Sequence, residues 1–238
     1  LAEQISGSEE LFVAEMNAKC KELGMNDTHF SNCTGLPKAE QFSCAKDVAK
    51  MFSELLKHEE YFSFSRIWMD KIEHDGGRIT EISNTNKLIR HYAYATGLKT
   101  GSTGKAKFCI SATAKKDDVE LIAVIMAAPD YKARFADAQI LLNYGYANCR
   151  LYEDQEMPML QAMEVRDGVE SSVQLQYAGG FSYLGLGGED FSSIEKKLLL
   201  PETMQAPVTE GEKAGVLRYE LNGKALGEVD ILTAGSVE

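Results

Sequence analysis

The sequence has no apolar run approaching the roughly 18–20 residues needed to cross a bilayer. Its start, LAEQISGSEELF, lacks the charge and the apolar block of a signal peptide. Positive charge is in deficit: 25 Lys and Arg stand against 36 Asp and Glu, a formal charge of −11. Without clustered cations to neutralise phosphates, a nucleic-acid partner is not expected. Paired cysteines are lacking too. Cys20, Cys33, Cys44, Cys109 and Cys149 are odd in number and form no CxxC, and the four histidines share no metal-like spacing with them. The thiols read as free, buried or half-buried side chains, and no metal and no cofactor are expected. An initiating Met is also missing; Leu1-Ala2-Glu3-Gln4 has the composition of a helix already under way, so the chain reads as a fragment.

What is present is enough for one good core or two modest ones: 238 residues, 44% of them hydrophobic. Ser6-Gly7-Ser8-Glu9 has a capping-box pattern before Leu11, Phe12, Met16, Cys20 and Leu23 at helical spacing, with Gly24 as the stop. A polar loop follows. Ser43 to about Lys57 repeats the one-sided pattern through Val48, Met51, Phe52, Leu55 and Leu56. RIWMDKIEH, a Gly76-Gly77 turn and RITEIS predict a hairpin, and Asn84–Ala95 reads as a loop. Phe108, Ile110, Ala112 and Ala114 alternate along a strand that turns at Lys116-Asp117-Asp118. Val119–Ala127 returns as a nearly continuous apolar strand, which predicts burial on both faces. A helix from Pro129-Asp130 to about Cys149 completes an α+β arrangement of helices on an antiparallel sheet. After Arg150 short β-like runs and turn signals take over, among them Asn222-Gly223 as a type I′ turn. Two domains are therefore expected, 1–150 and a small all-β C-terminal domain over 151–238, the latter for spacing or docking.

The stretch GLKTGSTG, Gly97–Gly104, opens the central hairpin. Lys99, Thr100 and Gly101 offer a cation, a hydroxyl donor and unobstructed backbone, a clamp for a carboxylate on a sheet edge where a peptide adds by β-augmentation. In the other reading Lys99 only protects an edge strand and Gly101 eases its twist.

The neighbouring residues extend the pattern. MNAKCKELGMNDTHFSNCTGLP, FSCAKDVAKM, GLKTGSTGKAKFCISATAKKDD and QAPVTEGEKAGVLRYELNGKALGEVDILTA together resemble the serine D-alanyl-D-alanine carboxypeptidases among the low-molecular-mass penicillin-binding proteins. The resemblance covers nearly the whole chain. It implies part of a penicillin-binding/β-lactamase-like transpeptidase domain followed by a β-rich domain. Of the family's three motifs, S-x-x-K, S-x-N and K-T-G, only K-T-G has a home here. Ser43–Lys46, Ser102–Lys105 and Ser193–Lys196 fit S-x-x-K formally but lie in the wrong places, and S-x-N does not occur. The resemblance places Leu1 just after the S-x-N motif. It further implies that Lys99 and Thr100 hold the substrate's terminal carboxylate, that Gly101 leaves room for the peptide, and that the Ser102 N–H is an oxyanion-hole donor. Arg134 resembles a family arginine near the carboxylate site and reads equally as a solvated helix-surface Arg.

The implied activity is removal of terminal D-Ala from peptidoglycan stem pentapeptides through an acyl-enzyme, with β-lactams acylating the same serine, outside the cell membrane. This chain by itself is expected to be inactive for want of the nucleophile. A class A β-lactamase shares KTG but not the β-rich domain. In a reading of another class the chain is a non-catalytic cell-wall peptide-binding module, or one piece of a two-chain assembly completed by self-association or by the missing N-terminal segment.

Overall fold

The computed structural model describes residues 1–238, which form two compact units, Leu1–Ala147 and Asn148–Glu238. In the first unit α1 (Ala2–Ser6) ends at Gly7, whose φ of 83° is the left-handed stop of a short helix. Ser8 then caps α2 (Glu9–Glu22) by accepting from the Leu11 N–H, so the cap is Ser8 rather than Ser6, whose hydroxyl donates to Glu15. The helix expected from Ser43 is α3 (Ala45–Leu55). The long connection between them is pinned by polar side chains. Asn17 on α2 bonds both the N–H and the C=O of Phe30. Asp47, 2% exposed, accepts from the Asp27 N–H and the Thr28 hydroxyl and pairs with Lys50. Burial alone would raise the Asp47 pKa, but these donors hold it below the ordinary carboxylate value.

Next come α4 (Glu60–Ser65) and an exposed hairpin, β1 (Met69–Glu73) and β2 (Ile79–Ser83). The segment read as a loop contains one helical turn, α5 (Leu88–His91), whose Leu88 is buried in the core. The sheet is built from β3 (Ala95–Gly97), β4 (Thr100–Thr103), β5 (Lys107–Lys116) and β6 (Val119–Ala128). β3 and β4 share one side of β5 and β6 takes the other, all antiparallel. The last helix, α6 (Ala133–Asn148), lays Ala138 and Leu142 on Ile110, Ala112 and Ala114 of β5. β6 is not buried on both faces. Only Val119, Ala123 and Ala128 are buried, Glu120, Met126 and Ala127 are exposed, and the strand pairs with β5 alone. An apolar run reports composition, whereas burial needs a covering layer on each face.

The second unit carries β7 (Cys149–Glu153), β8 (Met163–Arg166), β9 (Ser172–Val173), β10 (Leu175–Tyr177), β11 (Ser182–Leu186), β12 (Ile194–Leu199), β13 (Thr203–Gln205), β14 (Lys213–Leu221) and β15 (Lys224–Thr233). These make a four-stranded sheet in the order β10-β15-β14-β12 and two smaller sheets. Asn222 and Gly223 both have positive φ, 51° and 78°, as a type I′ hairpin requires. Beneath the sheet Tyr219 stacks on Phe181 at 3.7 Å and donates to Asp154, which also takes Lys196.

Candidate active site

The strand that carries KTG is interrupted just before it. Leu98 sits at φ 75° between β3 and β4, just after a register shift against β5 between Ala95 and Gly97. Past the break the Ser111 N–H donates to the Lys99 C=O. Antiparallel pairing alternates, so Lys99 and Gly101 direct their backbone groups at β5, and Thr100 and Ser102 direct theirs outward along the open edge. Side chains alternate as well. Lys99, Gly101 and Thr103 share one face; Thr100 and Ser102 share the other with Ile110, against which α6 packs.

Each predicted residue then has a definite setting. Lys99 is exposed, makes no ion pair, and donates at 2.6 Å to the C=O of Thr100. Thr100 is only 6% exposed, and its hydroxyl is spent on Thr85 Oγ1 at 2.8 Å. Lys99 and Thr100 are thus adjacent in sequence but on opposite faces. Gly101 is exposed, and a Cβ added there would meet nothing within 4 Å. Ser102 is exposed with its N–H on the open edge. Arg134, at the start of α6, reaches the strand: Nη1 lies 3.2 Å from the Gly101 C=O and 3.3 Å from that of Cys109. Its guanidinium packs over the rings of Phe135 and Phe108, 4.9 and 5.7 Å from their centroids. It is therefore tied to the KTG strand rather than solvated on a helix surface. The open edge has an ammonium on one face and a guanidinium on the other, an arrangement that suits an anionic peptide end lying along the edge.

On the Lys99 face lies a groove of about 730 Å³ between the α2–α3 connection and the β4–β5 turn. Phe30, Phe42, Met51 and Met126 give it an apolar floor, and its charged lining is Lys38, Lys99 and Lys105 with no carboxylate. Residue-by-residue reading missed Lys38 and Thr85, which no motif marks and which meet the KTG strand only through the fold; Lys105 follows that strand directly in sequence.

None of the formal S-x-x-K pairs assembles a nucleophile and base. Ser43 lines the groove but its hydroxyl bonds Thr28, while Lys46 opens onto a separate depression with Glu54 and Glu120. Ser102 and Lys105 are split by the β4–β5 turn, and Ser193 ends a 3-10 turn of the second unit. All five cysteines are free thiols.

Residues 1–130 match the family profile of D-alanyl-D-alanine carboxypeptidases, and residues 148–238 match the C-terminal domain of penicillin-binding protein 5. The chain is similar to the D-alanyl-D-alanine carboxypeptidase DacF of Bacillus subtilis, 35% identical over 231 residues, covering 96% of this chain and 59% of that protein. It is 28% identical to DacA of Haemophilus influenzae, covering 100% of this chain and 60% of the relative. Among solved structures it resembles penicillin-binding protein 5 from Haemophilus influenzae, with a TM-score of 0.75 at 26% identity, covering 99% of this chain and 68% of that one. The chain thus spans about 60% of the length of the curated relatives it matches.

Proposed function

The chain belongs to the D-alanyl-D-alanine carboxypeptidase family of low-molecular-mass penicillin-binding proteins, and from that premise we propose that the intact protein removes terminal D-Ala from peptidoglycan stem peptides through an acyl-enzyme. The observation that carries this reading is the free edge of β4, flanked by Lys99 on one face and Arg134 on the other. The substrate's last residues lie extended along that edge and pair with the outward backbone groups of Thr100 and Ser102. Lys99 exchanges its bond to the Thr100 C=O for the terminal carboxylate, and the Arg134 guanidinium adds positive potential from the other face. Thr100 contributes through its backbone, its hydroxyl being held by Thr85. Gly101 leaves the edge unobstructed, and the Ser102 N–H donates to the scissile carbonyl oxygen as it gains charge.

A serine attacks the penultimate D-Ala carbonyl, terminal D-Ala departs with the proton it needs, and water hydrolyses the ester. β-Lactams acylate the same serine. Since no S-x-x-K serine of this chain stands at the edge with a lysine base, the reaction is assigned to the intact protein, with its nucleophile in the family's S-x-x-K motif. Its substrate places it outside the cell membrane. The match of residues 148–238 to the C-terminal domain of penicillin-binding protein 5 supports a carboxypeptidase over a β-lactamase, with the second unit acting in spacing or docking. The test is the intact mass of the complete gene product after incubation with a labelled penicillin. A gain equal to one penicillin per chain is expected; an unmodified mass overturns the reading.

A further inference from the structure

Four groups at the entry to the KTG strand are satisfied not by another strand but by side chains arriving from outside the sheet. Ser65 Oγ on α4 donates to the Thr96 C=O at 2.7 Å. Asn86 Nδ2 donates to the Gly97 C=O at 2.8 Å, while Asn86 Oδ1 accepts from the Leu88 N–H and so is itself locked. The Leu98 N–H donates to Tyr61 OH at 3.1 Å, and the Thr100 hydroxyl donates to Thr85. Gly97 is needed for this approach, since a Cβ there would lie 2.6 Å from Ser65 Oγ. Beyond Thr100 the one side chain from outside the sheet that bonds the strand is Arg134, at the inward-facing Gly101 C=O, and the open edge begins. The bonds also bracket Leu98, a non-glycine residue in the left-handed region, which persists only where its surroundings over-determine it.

We propose that Tyr61 and Thr85 are positioning residues for the carboxypeptidase site: their hydroxyls hold the backbone break at Leu98 and the Thr100 side chain, and thereby set where Lys99 stands and where the substrate-pairing edge starts. The inference rests on the function proposed above. Neither side chain touches the open edge, so each acts through the strand. The buried Asn86, 1% exposed, shares the task but is also part of the core, which makes it the poorer probe. Thr85 is exposed, and its hydroxyl is separable from folding.

The experiment uses the complete gene product carrying Tyr61→Phe, Thr85→Val or Thr85→Ser. Amide hydrogen exchange reads positioning, and penicillin acylation, resolved into binding and acylation steps, reads its consequence. In Tyr61→Phe the Leu98 amide should exchange roughly tenfold faster, the order expected from one lost hydrogen bond, while the β5 amides from 110 to 114 keep their protection. Acylation in Tyr61→Phe and Thr85→Val should slow by about ten- to a hundredfold, in the acylation step, with thermal melting nearly unchanged; Thr85→Ser should restore it. Wild-type acylation in both variants, or slowing accompanied by loss of protection throughout the sheet, overturns the proposal. A wild-type protein that fails to react with penicillin would sink the functional reading instead. The exchange at Leu98 would still decide whether Tyr61 holds the strand.

Discussion

Lys99 is held only by the carbonyl of its own neighbour, so an arriving carboxylate exchanges one acceptor for a stronger, charged one. A hydrogen bond to a charged group is worth about 1.5–3 kcal/mol, so Lys99→Ala in the complete protein should lower acylation by roughly ten- to a hundredfold. Lys105→Ala, which alters the same groove away from the open edge, is the control. Equal acylation rates for wild type and Lys99→Ala would remove the carboxylate clamp and leave the edge-protection reading of Lys99. Part of this site is legible in the tripeptide itself: a lysine, a hydroxyl and a glycine at a strand start fit a carboxylate. What the tripeptide hides is that strand alternation sends Thr100 to the far face, where Thr85, fifteen positions earlier, takes its hydroxyl. Arg134 is ambiguous in sequence because a helix-surface arginine and a strand-bound one look alike. Only the turn that brings the first residues of α6 against Gly101 separates them.

Among the elements, the two tight hairpins invite comparison. β14 and β15 turn through Asn222-Gly223, the pair favoured where both central residues have positive φ. β5 and β6 turn through Asp117-Asp118 in the same manner, at φ 47° and 61°, and here no glycine relieves the left-handed backbone. The Asp118 side chain gives little back, since its pairing with Lys115 is long, at 3.6 Å, and largely exposed. Asp118→Gly is therefore expected to stabilise the first unit by about 0.5–1 kcal/mol. Chemical denaturation of the two proteins would check it; an unchanged or lower midpoint would mean that the aspartates are better fitted to the turn than their backbone angles imply. Both turns could be read from sequence because turn chemistry is local. The exposure of β6 could not, since an alternating or continuous apolar pattern does not say whether anything lies over it.

At the scale of the whole molecule, each unit surrounds one almost wholly buried carboxylate, Asp47 in the first and Asp154 in the second. The Asp154 side chain is 3% exposed and accepts from Lys196 at 2.6 Å, Tyr219 OH at 2.7 Å and the Glu156 N–H at 3.0 Å. Burial pushes its pKa up, and these donors more than offset it, leaving the carboxyl below its ordinary value. A depressed carboxyl pKa stabilises the fold fully above the unfolded-state value near 3.9, and that contribution fades as pH falls through the lower folded value. Asp154→Asn should lower the melting temperature of the second unit at pH 7 and flatten its decline between about pH 5 and pH 3. We further propose that the units melt as separate bodies. Trp68, the single tryptophan, reports the first unit by fluorescence while calorimetry follows both. Parallel pH slopes for variant and wild type would mean that Asp154 is not the titrating group, and a displaced Trp68 transition would mean that the units are coupled.

β6 carries a further consequence in the handling of the protein. Ten residues, mostly apolar, present one row of backbone donors and acceptors to whatever comes near, and nothing in this chain blunts that row with a proline or a lysine. Two molecules meeting there can share hydrogen bonds as readily as neighbours in a sheet do, a pairing that uses both rows and closes as a dimer. Concentration, as much as temperature, then governs what fraction of the chains is paired.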